Sequence, residues 1–149
     1  MEIQSVNSKD LKEIIILEKE IFKENAFSKQ IMEDLIRHNT FFLKLVDDKN
    51  KYKLIGFIIA IRDKIDRINI INFLIAPRFQ NKGFGAHLLK NIIERTMQLK
   101  EIKKMVLNVQ VSNLPAIKLY EKFNFVKNTN EIINYYPSRE SAYFMELEI

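Results

Sequence analysis

The stretch PRFQNKGFGAHLL, Pro77 to Leu89, holds two of the chain's three glycines, Gly83 and Gly85, within three residues. An apolar run precedes it and an amphipathic run follows it, so the glycines fall between a strand and a helix. That junction is a recurrent place for an anion. The first N–H groups of a helix have no intrahelical acceptor and point outward. Glycine admits close approach or positive φ, and Arg78 and Lys82 add positive charge. The loop is not a P-loop, because no Lys-Ser or Lys-Thr follows the second glycine. It is not the dinucleotide fingerprint either, since the third glycine is missing. Taken alone, Gly83-Phe84-Gly85 also fits a plain strand-to-helix turn. Other reactive groups are scarce. The absence of cysteine excludes disulfides, thiolate metal sites and a cysteine nucleophile. His38 and His87 fall at the end of one predicted helix and inside another, and read as surface or packed residues. No metal site is expected.

The elements that must position this loop can be read from periodicity. EIQSV is a short strand. SKDLKEIIILEKEIF is an amphipathic helix with Ser8 as its cap and Leu11, Ile14, Ile15, Leu17, Ile21 and Phe22 on its apolar side. SKQIMEDLIRH is a second helix, capped by Ser28. TFFLKLVD and YKLIGFIIAIRD are strands joined by the turn DKNK, and DRINIINFLIA is a strand expected to be buried on both faces and to stop at Pro77. A helix runs from about Gly85 to Lys100, KKMVLNVQV is a strand, and NLPAIKLYEKF is a short helix with Asn113 as cap and Pro115 in its first turn. FVKNTNEIINYY and AYFMELEI are the last two strands. The order β-α-α-β-β-β-α-β-α-β-β predicts a mixed α/β fold, a central mixed sheet with helices on both faces. At 149 residues the expectation is one domain, 1–149.

A net charge of +5, with lysines dispersed rather than blocked, reads as ordinary surface charge and gives no nucleic-acid signature. The acidic N-terminal stretch is not a signal peptide, and the longest uncharged apolar run, LIGFIIAI, is too short to span a bilayer. No membrane association is expected, and a cytoplasmic setting is the default.

With its neighbours, the glycine loop becomes more specific. Gln80-x-x-Gly83-x-Gly85 after an apolar strand resembles the acetyl-CoA pyrophosphate loop of the GCN5-related N-acetyltransferases (GNAT). VSNLPAIKLYEKFNF resembles that family's later motif, with Asn124 standing where a glycine precedes the last Phe; asparagine tolerates the left-handed region better than most residues. The tail NYYPSRESAYFMELEI is similar to the branch that acetylates ribosomal-protein N-termini. LEKEIFKENAFSKQIMEDL is a looser match, so the resemblance covers most of the chain.

The resemblance implies transfer of an acetyl group from acetyl-CoA to an amine. It implies that the backbone of Phe73, Leu74 and Ile75 holds the pantetheine arm. Gln80 and the N–H groups of Asn81, Lys82, Gly83, Phe84, Gly85 and Ala86 would hold the pyrophosphate, and Asn113 would contact coenzyme A. Tyr120 would give a proton to the leaving thiolate; from the residues alone it is equally a core aromatic spaced with Ile117 and Phe123. Tyr135, Tyr136 and Glu24 would line the acceptor groove.

One position departs from the family pattern. The strand that usually reads Leu-Glu-Val, its glutamate the proton acceptor, here reads Leu107-Asn108-Val109. Asn108 can orient a water but cannot be the base. An α-amine has a pKa of about 8 and a lysine side chain about 10.4, a gap worth about 3.4 kcal/mol. A site without a strong base therefore favours an α-amine, and a protein or peptide N-terminus is the expected acceptor. Two alternatives stay open: a small amine such as a polyamine or aminoglycoside, and a non-catalytic coenzyme A-binding module. The sequence does not fix the oligomeric state.

Overall fold

The computed structural model describes residues 1–128 and 130–149. Its elements follow the predicted order: β1 (Glu2–Ser5), α1 (Leu11–Phe22), α2 (Lys29–Arg37), β2 (Phe41–Asp47), β3 (Lys53–Lys64), β4 (Arg67–Ile75), α3 (Phe84–Met97), β5 (Lys104–Gln110), α4 (Leu114–Lys122), β6 (Val126–Lys127) and β7 (Ala142–Glu148). The strands form one seven-stranded sheet in the order β1-β2-β3-β4-β5-β7-β6. Among the described residues, only β4 and β5 pair in parallel.

Helices cover both faces. Leu88, Leu89 and Ile92 of α3 and Ile117 and Tyr120 of α4 pack with Ile58, Ile68 and Met105 on one side. Ile14 and Leu17 of α1 and Met32 of α2 pack with Phe57, Ile59 and Leu74 on the other. Most of these side chains are fully buried, so truncating one to alanine should cost about 2–5 kcal/mol.

Several local expectations are corrected. Asn7, not Ser8, is the cap, and it caps the short 3-10 turn Ser8–Asp10 that leads into α1: its side chain accepts from the Lys9 N–H, and the Asn7 N–H donates to the Asp10 carboxylate. Ser28 does cap α2, accepting from the Ile31 N–H. The third helix begins at Phe84, one residue before the expected start, and ends at Met97, three residues short of Lys100. Of FVKNTNEIINYY, only Val126–Lys127 and an isolated bridge from Ile132 to Ala142 are sheet; Thr129 lies outside the described residues. Residues 133–140 leave the sheet, with Asn134 and Arg139 at positive φ and Ser138 bonded to Asn25 rather than to a strand.

Strand β4 alternates between buried and half-buried residues rather than being buried throughout. Its register explains the site. Ile59 pairs with Asn72 and the next residue, Ala60, pairs with Ile70, so Ile71 is an extra residue on β4. A bulge of this kind bends the strand and exchanges the faces beyond it. Ile68 and Ile70 face the α3/α4 core before the bulge; Phe73 and Ile75 take that side after it, while Leu74 joins the α1/α2 core. The parallel pairing with β5 ends at Ile70–Leu107. From there the two strands part, leaving the β5-facing edge of residues 71–75 open.

Candidate active site

The parting strands open two adjoining cavities. The outer one, about 410 Å³, runs from the end of β4 along the N-terminus of α3 to α4. The inner one, about 90 Å³, lies between β4, β5, α1 and the segment before β7. Phe22, Phe73, Asn113 and Tyr120 line both. Tyr120 therefore stands where the two meet.

Sequence places Tyr120 there through the ends of α4. Asn113 caps the helix, its side-chain oxygen accepting from the Ala116 N–H at 3.3 Å, and Pro115 occupies the first turn. At the other end Asn124 takes φ +73, as its stand-in role for glycine requires, and the Phe125 N–H donates back to the Tyr120 carbonyl. Phe125 and Phe73 then flank the Tyr120 ring at centroid distances of 5.8 and 6.3 Å. Burial pushes the Tyr120 phenol well above its ordinary pKa, with a smaller contribution from Tyr136. The phenol stays protonated at neutral pH, which suits a proton donor and not a base.

Phe73, Leu74, Ile75, Gln80, Asn81, Gly83, Gly85 and Ala86 all line the outer cavity. Lys82 and Phe84 do not. The Lys82 ammonium lies 5.9 Å from the Phe79 ring, and Phe84 packs edge-on against Phe79. Gln80 donates to the Ile75 carbonyl at 2.9 Å, tying the loop to the strand end. The two glycines differ. Gly83 adopts φ +87 with open space around it, so conformation excludes a side chain. A Cβ on Gly85 would lie 3.4 Å from Leu119 and 3.6 Å from Phe73, ordinary side-chain contacts, so there neither conformation nor packing strictly demands glycine. An open strand edge, a left-handed turn into a helix N-terminus and a cavity of this size fit acetyl-CoA.

Asn108 and Tyr136 line the inner cavity. Asn108 donates its side-chain N–H to the Tyr135 hydroxyl at 3.2 Å, while its Oδ1 is buried without a hydrogen-bond partner among the described residues. Tyr135 is exposed and stacks edge-on against Tyr136 at 4.8 Å. Glu24 is exposed in the turn Lys23–Asn25 and reaches neither cavity, whereas its neighbour Asn25 lines the inner one. Asn25 also exchanges two hydrogen bonds with Ser138, at 3.0 and 2.9 Å, clasping the turn after α1 to the segment before β7. His38 and His87 are exposed and stand apart from both cavities.

The sequence reading passed over Glu18. It is 1% exposed and lines the inner cavity. The Phe27 N–H donates to one of its oxygens and Asn72 Nδ2 to the other, each at 2.8 Å. Burial raises its pKa; the two hydrogen bonds offset that in part. A signal was available: Glu18 falls four residues after Ile14 and three before Ile21, on the apolar stripe of α1, where a carboxylate needs a reason.

The sequence model of the Acetyltransferase (GNAT) family matches residues 9–125. An N-alpha-acetyltransferase of Sulfolobus acidocaldarius is 34% identical over 77 residues, 52% of this chain and 45% of that protein. A spermine/spermidine N(1)-acetyltransferase of Bacillus subtilis is 35% identical over 66 residues, 44% of this chain and 43% of that protein. The chain thus spans about half the length of these curated relatives. Among solved structures, the ribosomal-protein-S18-alanine N-acetyltransferase from Escherichia coli superposes with a TM-score of 0.85 at 26% identity, over 99% of this chain and 93% of that one.

Proposed function

The chain belongs to the Acetyltransferase (GNAT) family, and from that premise we propose that it transfers the acetyl group of acetyl-CoA to the N-terminal α-amine of a protein, such as a ribosomal protein. The observation that carries this reading is the meeting of the two cavities at Tyr120. A donor held in the outer cavity and an amine in the inner one would react beside that phenol. Acetyl-CoA supplies the activated thioester; the chain supplies position and proton movement.

In this reading the open edge of Phe73, Leu74 and Ile75 offers backbone groups to the pantetheine arm. The N–H groups around Asn81, Gly83, Gly85 and Ala86 offer a concave donor set to the pyrophosphate. Gln80 acts indirectly, by bracing the loop. Tyr120 gives its proton to the departing sulfur. Asn113 holds α4 in register and borders both cavities. Tyr135, Tyr136 and the Asn25–Ser138 clasp frame the acceptor, with Glu24 at the outer rim. The E. coli relative supports the ribosomal branch, and a cytoplasmic setting goes with a protein acceptor of that kind in this reading.

The Bacillus subtilis relative favours a polyamine as the second reading. Against it, the inner cavity carries one carboxylate, Glu18, among the described residues, whereas a polyamine presents several charges along its length. Thiol release from acetyl-CoA, measured with a free-N-terminus peptide, the same peptide N-terminally blocked, and spermidine, separates the readings. Release with the free peptide alone is expected. Release with spermidine alone favours the second reading, and release with none of the three contradicts both.

A further inference from the structure

We propose that Glu18 receives the proton of the acceptor amine, supplying the basic group that Asn108 cannot, and that Asn108 Oδ1 holds the amine beside it. The inference rests on the acetyl-transfer reading and names the missing proton acceptor of that site.

Three observations converge. Glu18 is the one charged side chain among the described residues lining the inner cavity. No lysine, arginine or histidine lines that cavity to balance it. A buried carboxylate without a cationic partner is costly, and an incoming ammonium is the cation the cavity lacks. Each Glu18 oxygen already accepts one bond, from Phe27 or Asn72, which fixes the carboxylate and leaves each oxygen a second lone pair. Across the cavity, Asn108 Oδ1 is a buried acceptor without a donor. Its amide is oriented by the bond from Nδ2 to Tyr135. Buried acceptors are almost always satisfied, and an amine N–H is the donor that fits this one. The other titratable groups facing the cavity are Tyr120 from α4 and Tyr136 from the segment before β7, phenols that burial keeps protonated. Neither competes for the proton. Burial also raises Glu18, moving it toward the range where a general base is effective.

The proton balance closes. The ammonium carries two protons more than the amide product. The first passes to a Glu18 oxygen, directly or through one water, and from there to solvent as the net proton released. The nitrogen then bonds to the acetyl carbon, the carbon–sulfur bond breaks with its electron pair on sulfur, and sulfur takes the Tyr120 phenolic proton. The second nitrogen proton restores the phenol.

The test is the pH profile of kcat/KM for the full chain with a free-N-terminus peptide, from about pH 4 to about pH 9, a window that opens near the ordinary carboxylate range. Glu18→Gln is isosteric, and a turned Asn72 amide keeps both hydrogen bonds. It should lower kcat/KM about 100-fold, abolish the acidic limb that exceeds the peptide's own amine titration, and leave the Kd for acetyl-CoA unchanged. Adding Asn108→Glu to Glu18→Gln should recover most of the loss. Should Glu18→Gln fail to fold, Asn72→Leu decides: losing that hydrogen bond raises the Glu18 pKa, so the acidic limb must move to higher pH. A Glu18→Gln protein within threefold of the parent, or an Asn72→Leu profile with an unmoved limb, overturns the assignment. A parent chain that acetylates no peptide contradicts the acetyl-transfer reading instead.

Discussion

Asn72 Nδ2 donates to Glu18 Oε1 at 2.8 Å across 54 residues of sequence, joining β4 to α1 inside the inner cavity. The bond exists because Ile71 is an extra residue in β4. Without that bulge, the alternation of Ile68 and Ile70 would carry Asn72 to the α3/α4 side and leave Glu18 with only the Phe27 N–H. The same bulge sends Phe73 to the Tyr120 ring, 6.3 Å away. One inserted residue therefore positions groups on both sides of the reaction site.

That buried carboxylate should make stability depend on pH. Its folded-state pKa lies above the ordinary 4.5, so the folded chain holds the proton more tightly than the unfolded one. Linkage then makes its contribution largest below about pH 4.5 and diminishes it as pH rises through the folded-state pKa. Chemical unfolding of the parent and of Glu18→Gln at successive pH values checks this. The variant should gain relative stability as pH rises; a constant difference contradicts it.

Tyr120→Phe should lower kcat about 100-fold or more, the usual scale for losing a general acid. The Phe73 and Phe125 ring contacts survive the change, so the Kd for acetyl-CoA should move less than threefold. Steady-state kinetics beside calorimetric binding separates the two quantities.

Gly83→Ala should destabilise the fold by about 1–2 kcal/mol, because an alanine at φ +87 is strained even in open space. The loop leading into α3 would shift its N–H groups, so the Kd for acetyl-CoA should rise while the KM for peptide changes little. Gly85→Ala should cost less, since its new methyl meets movable side chains.

Asn25→Ala removes both bonds to Ser138 and should weaken the clasp by about 1–3 kcal/mol. The expected result is a raised peptide KM, faster amide exchange in residues 133–140, and an unchanged Kd for acetyl-CoA.

Most of the architecture was legible because its signals are local. Apolar periodicity marks α1 and α3, Ser28 and Asn113 are genuine caps, and the glycine loop lies where a strand ends. What escaped depends on tertiary partners. Ile71 is one isoleucine among several in INIINFLI, and nothing in that run says which one bulges. The asparagine-rich stretch before β7 reads as strand by composition, but beyond it the Tyr136 N–H donates to the Glu140 carbonyl in a turn and the Ser138 N–H donates to Asn25. Glu18 was visible as a charge on an apolar stripe, yet its meaning needed Asn72 and Phe27, which only the fold brings near.

The central claim is transfer to an α-amine, and one peptide tests it most directly. A peptide carrying both a free N-terminus and an internal lysine, incubated with the chain and acetyl-CoA, is fragmented by mass spectrometry to locate the acetyl group. The account predicts acetylation of the N-terminal nitrogen, with the lysine left free. Acetyl found on the lysine ε-nitrogen at an equal or higher rate would contradict it.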